Sequence, residues 1–265
     1  SRRQRQMCIR DRDRESANTD TIIVVSYDVA NQKVGMISIP RDTAVNRDWR
    51  KDPKINGAYA GAGVDVLKEE IEQTFGIPID YYIYVDLKGF VALVDELEGV
   101  DVYIPEEMNY DDPYQDLHIH FTKGPRHLNG QEAMEVVRFR HNNDGTGYGT
   151  EDIGRIGTQQ AFLKAVAKQL LQIGNVKNIP ALVDIFCTYV KTDLTTGNLV
   201  WLGNEALNIG TENIHFATLP GDGSGYYNKQ SVYVLDAQAT CDLVNEALNP
   251  YNEALTLEDM DILVP

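Results

Sequence analysis

Three short runs place charged residues where the surrounding pattern calls for apolar ones, and together they describe chemistry on a phosphate. In Ile39-Pro40-Arg41-Asp42 a strand-like run stops at proline. It delivers Arg41 and Asp42 at its carboxyl end, the side on which open α/β sheets bind ligands. In Arg138-Phe139-Arg140 two arginines alternate. Read as an extended segment, both point to one face, where guanidiniums repel unless an anion lies between them. Their planar forks suit phosphate oxygens. In Asp152-x-x-Arg155-x-x-x-Gln159 the spacings of three and four put all three side chains on one stripe of a helix. Each run also has a plainer reading: a solvated turn with a surface ion pair at Arg41 and Asp42, arginines paired to the chain's many acids at Arg138 and Arg140, and a solvated helix face with Asp152 as a first-turn carboxylate. Arg41, Arg138, Arg140 and Arg155 each sit at or beside the end of a regular element, which makes an anion pocket the economical reading.

Signatures of rival chemistries are missing. The chain has no Gly-x-x-x-x-Gly-Lys-Ser/Thr loop and no Gly-x-Ser-x-Gly elbow. Gly221-Asp222-Gly223-Ser224-Gly225 is glycine-rich but opens no adjacent helix, and reads as a plain loop. His118 and His120 share a face of a strand-like stretch without a third ligand nearby in sequence, and read as surface histidines. Cys187 and Cys241 lie far apart in no metal pattern, leaving two buried thiols or one disulfide.

These residues are positioned by alternating strands and helices. Residues 20–28 read as a buried strand, Lys33–Ile39 as its hairpin partner, and Asp65–Phe75, stopped by Gly76, as an amphipathic helix. A strand at Tyr81–Leu87, a short helix at Phe90–Leu97 and a strand at Asp101–Ile104 follow. Asn129–Met134 reads as a short helix running into a strand-like Val136–Arg140. A long helix spans Glu151–Ile173, with Thr150 as its N-cap. Helices near Ile179–Tyr189, Thr196–Asn208 and Asp236–Leu248 and a strand at Ile214–Leu219 complete the pattern. This predicts a single three-layer α/β/α domain with a central mixed sheet and helices on both faces.

Of 265 residues, 40 are Asp or Glu and 24 are Lys or Arg, a formal charge of −16. That excess argues against sequence-independent binding to nucleic acid, which needs a broad basic field. Residues 1–15 carry six arginines against three acids and no periodic pattern, so they read as a non-native or disordered tail outside the fold, a genuine basic arm being the other reading. The domain is expected over 16–252, with a C-terminal tail at 253–265. No run of 18 apolar residues suggests a membrane span.

At the same residues the sequence resembles the LytR-CpsA-Psr family, bacterial enzymes that attach glycopolymers to the cell wall. The resembling stretches include Thr19-Asp20-Thr21, Ser38-Ile39-Pro40-Arg41-Asp42-Thr43, Lys54-Ile55-Asn56-Gly57, Glu98-Gly99-Val100-Asp101, Leu128-Asn129-Gly130-Gln131-Glu132-Ala133, Arg138-Phe139-Arg140 and Asp152-Ile153-Gly154-Arg155 with Gln159-Gln160. The resemblance implies a monomeric catalytic domain on the outer face of the cytoplasmic membrane, anchored by an N-terminal helix that this chain lacks. It implies transfer of a glycosyl phosphate from a polyprenyl-pyrophosphate carrier to a peptidoglycan hydroxyl. Arg41, Lys54, Arg138, Arg140, Arg155 and Gln159 would hold the pyrophosphate, Asp20 would bind Mg²⁺ (or Mn²⁺), and Asp152, with Arg41 and Arg155, would serve catalysis. An apolar tunnel for the lipid would draw on Val66, Leu67, Ile71, Phe90, Val94, Phe162, Val166 and Leu170. The sequence departs from the family pattern at Cys8, where a second metal-binding Asp is usual, and at Asn18 and Thr158, where Arg is common. Pyrophosphate hydrolysis and non-catalytic polyprenyl-phosphate binding are the competing readings.

Overall fold

The structure, a computed structural model, describes residues 3–10, 21–47, 51–114, 117–148, 151–172, 179–206 and 208–263. The chain is of mixed α/β class and divides into two compact units, Ser1–Val85 with Lys191–Pro265, and Asp86–Val190. The first begins with strands β1 (Arg3–Arg10), β2 (Thr21–Asp28) and β3 (Lys33–Ile39), helices α1 (Gly57–Ala62) and α2 (Val64–Phe75), and β4 (Tyr81–Asp86). The second holds α3 (Leu87–Glu96), β5 (Val100–Ile104), β6 (Met108–Asp112), β7 (Leu117–Phe121), β8 (Gly124–Leu128), α4 (Gly130–Arg138), α5 (Glu151–Gln172) and α6 (Ile179–Tyr189). The chain then returns to the first unit through β9 (Val190–Thr192), α7 (Thr196–Ala206), β10 (Ile214–Thr218), β11 (Gly221–Tyr227), β12 (Gln230–Leu235) and α8 (Ala237–Ala247).

The first unit is built on a sheet of order β10-β3-β2-β1-β4-β9. It is mixed, because β3 pairs antiparallel with β2 and parallel with β10. Strand β2 is rich in β-branched residues and buried along nearly its whole length, as a strand covered on both faces must be. Ile22 and Val24 join one buried cluster with Leu67, Ile71 and Phe75 of α2 and Val244 of α8. Removing each such side chain from water contributes roughly 1.5–3 kcal/mol. Helix α8 lies so close that a Cβ on Gly35 would sit 2.4 Å from the Ala247 carbonyl oxygen. The alternate residue Tyr27 meets α7 instead: its ring centroid is 5.9 Å from that of Trp201, and its hydroxyl donates to Glu205. Helices therefore cover both faces of this sheet. Helix α2 ends as its Gly76 predicts, with a left-handed backbone at φ 66°.

Several expectations need correction. Residues Arg3–Arg10, expected outside the fold, run as a strand antiparallel to β2. Main-chain pairing does not depend on side-chain periodicity, so composition did not reveal it. The segment 253–262 does not trail away. Leu255 exchanges hydrogen bonds with the Asn245 side chain, Asp261 N–H donates to Thr74 O, and Arg47 bridges buried Glu70 (2.7 Å) and Asp261 (2.7 Å). Gly221–Gly225 is strand, not loop, because β12 pairs with it through a bulge. Cys187 is exposed and Cys241 buried, both free thiols.

In the second unit, β5 pairs with β8 and β6 with β7, both antiparallel. Helix α3 packs on α4 and α6, and α5 on α4 and β5. Phe90 of α3 and Phe162 of α5 tilt against each other at 4.9 Å. Among the described residues no helix is long and apolar enough to cross a membrane.

Burial, followed by the Glu205 carboxylate, pushes the Tyr27 phenol from 10.0 up to about 12. The fold thus favours the neutral phenol: its contribution is complete below pH 10 and disappears as pH rises toward 12. Urea denaturation across that window should show wild type losing up to about 1.4 kcal/mol per pH unit more than Tyr27→Phe. Parallel curves for the two proteins would contradict the assignment.

Candidate active site

In the first unit the turn after β3 is fixed by its backbone. Thr43, fully buried, closes on Pro40 through its N–H (2.9 Å) and its hydroxyl (2.6 Å) to the same carbonyl. Asn56 N–H donates to Arg41 O at 3.2 Å, and Tyr233 N–H to Asp42 O at 2.8 Å. With both peptide groups tied, the two side chains leave the turn in set directions. The Asp42 carboxylate lies 3.5 Å from Arg41 Nε through one oxygen and 3.1 Å from Lys54 Nζ through the other. Each of the three side chains is about one fifth exposed. The expected Arg41–Asp42 ion pair is therefore present, but it also gathers Lys54, fourteen residues from Pro40 in sequence. Two cations thus share one carboxylate.

In the second unit the sequence reading of 128–140 fails in an informative way. Asn129 and Glu132 form a reciprocal capping box, and the helix they start continues unbroken to Arg138. Gly130, Ala133 and Val136 form its buried stripe. Val136-Val137-Arg138-Phe139-Arg140 alternates like a strand, but the helical stripe decides. Arg138 and Arg140 hence do not share the face of an extended segment. Arg138 is half-buried in the last helical turn, where a cation is favoured by the helix dipole, and its guanidinium meets Met134 Sδ at 3.7 Å. Arg140 is exposed, beyond the buried Phe139.

The stripe on α5 faces inward. Arg155 is 4 % exposed and Gln159 8 % exposed, so the solvated-face reading does not hold. Gln159 Nε2 donates to Val137 O at 3.4 Å, supplying a partner to a carbonyl in the last turn of α4, next to Arg138. Thr158, which takes the place of the family's common Arg, is buried and bonded to Tyr148 Oη at 2.7 Å. Burial raises the Tyr148 phenol, with the Thr158 bond opposing. This buried pair had no signal in the sequence beyond an aromatic residue in a polar loop. Asp20 and Thr150, and the side chains of Asp152 and Leu170, lie outside the described residues. Of the apolar tunnel candidates, Leu67 and Ile71 are core of the first unit, while Phe90, Val94, Phe162 and Val166 are buried in the second.

The structure thus brings Arg41 together with Lys54, and ties the helix of Arg155 and Gln159 to the end of the helix carrying Arg138. Each cluster places cations at low exposure, where charge interactions are little screened.

Residues 4–249 match the sequence profile of the LytR_cpsA_psr family. The chain is similar to regulatory protein MsrR of Staphylococcus aureus (strain COL), 31 % identical over 206 residues, covering 77 % of this chain and 60 % of that protein. The chain therefore matches less than two thirds of that relative's length. It is 32 % identical over 237 residues to the polyisoprenyl-teichoic acid–peptidoglycan teichoic acid transferase TagU of Bacillus cereus, covering 89 % of this chain and 74 % of that protein. The crystal structure of B. subtilis TagV superposes with a TM-score of 0.77 at 25 % identity, covering 99 % of this chain and 98 % of that one.

Two glycines on α5 give a paired test. A Cβ on Gly154 would lie 2.4–2.6 Å from Tyr148 side-chain atoms, whereas one on Gly157 meets nothing within 4 Å. Gly154→Ala should destabilise by about 1–3 kcal/mol through overpacking. Gly157→Ala should stabilise by about 0.5–1 kcal/mol. Chemical denaturation of both variants checks this, and equal effects would contradict the packing described.

Proposed function

The chain belongs to the LytR-CpsA-Psr family, and on that premise we propose that it transfers a glycopolymer phosphate from a polyprenyl-pyrophosphate carrier to a peptidoglycan hydroxyl. The observation that carries this reading is Arg155: a guanidinium almost wholly withdrawn from water, on a helix fastened by Gln159 to the end of α4 beside Arg138. A planar cation in that setting suits a multiply charged phosphate better than any neutral ligand.

In the reaction, the acceptor hydroxyl oxygen forms a bond to the glycan-linked phosphorus, and the bridging oxygen leaves with polyprenyl phosphate. Arg138, Arg140 and Arg155, with Gln159, hold phosphate oxygens and neutralise the charge that gathers on the leaving phosphate. In the first unit, Arg41 and Lys54 offer cations suited to phosphate oxygens, with Asp42 as a positioning residue that fixes both. Asp152 accepts the proton of the attacking hydroxyl. Positioning and charge stabilisation dominate phosphoryl transfer, so this set is sufficient for most of the catalysis. Asp20 would hold a divalent ion, Mg²⁺ or Mn²⁺, which when bound supplies further neutralisation of phosphate oxygens. The place of action is the outer face of the cytoplasmic membrane, where carrier and peptidoglycan meet. The similarity to TagU supports a teichoic acid as one polymer class.

The test supplies protein with Mg²⁺, a polyprenyl-pyrophosphate glycan and peptidoglycan, and follows the polymer by mass. Acceptor-linked polymer should form and should fall by about 10²-fold or more in Asp152→Asn. Phosphate release without acceptor would establish hydrolysis instead, and binding without turnover would establish a carrier.

A further inference from the structure

Hairpin β6–β7 carries a second constellation that this reaction does not use. Its register sets Asp111 opposite His118 and Asn109 opposite His120. Residues two apart on a strand share a face, so all four side chains stand together. Asp111 Oδ1 lies 2.6 Å from His118 Nδ1 and 3.2 Å from His120 Nε2, and the donor atoms of the three residues lie within 4.8 Å of one another. His120 Nδ1 is 2.8 Å from Asn109 Oδ1. That oxygen only accepts, so the proton of a neutral His120 is on Nδ1 and its Nε2 lone pair faces the carboxylate. A single carboxylate oxygen thus faces two imidazole nitrogens. Such an arrangement is satisfied either by a proton on each imidazole or by one cation bound to all three groups.

We propose that this hairpin binds one divalent transition ion of the Zn²⁺ class through Asp111, His118 and His120, with Asn109 orienting His120. Two imidazoles and a carboxylate form a mixed nitrogen–oxygen donor set that suits Zn²⁺, with a fourth position for water, whereas Mg²⁺ prefers oxygen ligands throughout.

The ligands stand on a supported strand. Along the edge of β6 away from β7, Asn142 Oδ1 accepts from Asn109 N–H at 2.6 Å and Asn143 Oδ1 from Asp111 N–H at 2.7 Å. Asn143 Nδ2 returns a bond to Asp111 O at 3.0 Å. These asparagines take the part of a neighbouring strand, and they come two and three residues after Arg140. An ion on the hairpin would therefore stiffen the strand to which the segment following Arg140 is tied. The side chains of Asp111 (45 %) and both histidines (55 %) are well exposed, so the ion exchanges with solvent. The inference does not depend on the transferase reading.

Calorimetric titration of ZnCl₂ into the full chain, without an affinity tag and stripped with chelator, tests it. One equivalent should bind and persist in excess MgCl₂. Asn109→Ala should weaken binding about 10–100-fold. The double variant His118→Ala/His120→Ala should lose the equivalent while its far-ultraviolet circular dichroism stays that of wild type. Equal Zn²⁺ binding by wild type and double variant, through the remaining histidines, would overturn the proposal, as would no stoichiometric uptake by wild type.

Discussion

Withdrawing a guanidinium from water is costly, and the second unit does so at Arg155, which is buried. Arginine cannot escape by losing its proton, so the buried charge needs oxygens around it. Its helix is held against α4 by Gln159 and against Tyr148 through Thr158 and the side-chain-free edge of Gly154. Phe162, one turn on from Thr158, enters the same core against Phe90. Packing and charge placement are in this way one arrangement: whatever moves α5 moves Arg155.

The turn after β3 solves a similar problem differently. Arg41 and Lys54 would repel at close range, and Asp42 lies between them as a shared counter-ion. The acid excess of the whole chain matters here. A field of −16 disfavours unselective binding of polyanions, against which small clusters of cations stand as local exceptions.

Much of this was legible in the sequence where one periodicity dominated. The β-branched run of β2 and the Leu67–Ile71–Phe75 stripe closed by Gly76 reappear nearly residue for residue. Reading failed where two patterns fit the same residues: Val136–Arg140 alternates like a strand, yet Gly130, Ala133 and Val136 continue a helical stripe begun by a capping box. It also failed where tertiary contacts decide. The inward turn of Arg155 and Gln159 is set by the partners of α5, not by its own polarity. The strand at Gly221–Tyr227 exists because β12 pairs with it. The third ligand for His118 and His120 was invisible because Asp111 is brought opposite by the hairpin register, not by local spacing. The family motifs singled out Arg41 and Lys54 separately; only the fold shows that Asp42 joins them.

The central claim is that buried Arg155 binds the pyrophosphate of a lipid carrier. Its most direct test is a phosphorus-31 NMR titration of a short-chain polyprenyl pyrophosphate with wild-type protein and Arg155→Gln, a variant that keeps hydrogen-bonding capacity but removes the charge. A charge-assisted bond contributes about 1.5–3 kcal/mol, so the account predicts affinity at least about tenfold weaker in the variant, with its fold intact. Equal affinity for the two proteins would contradict it.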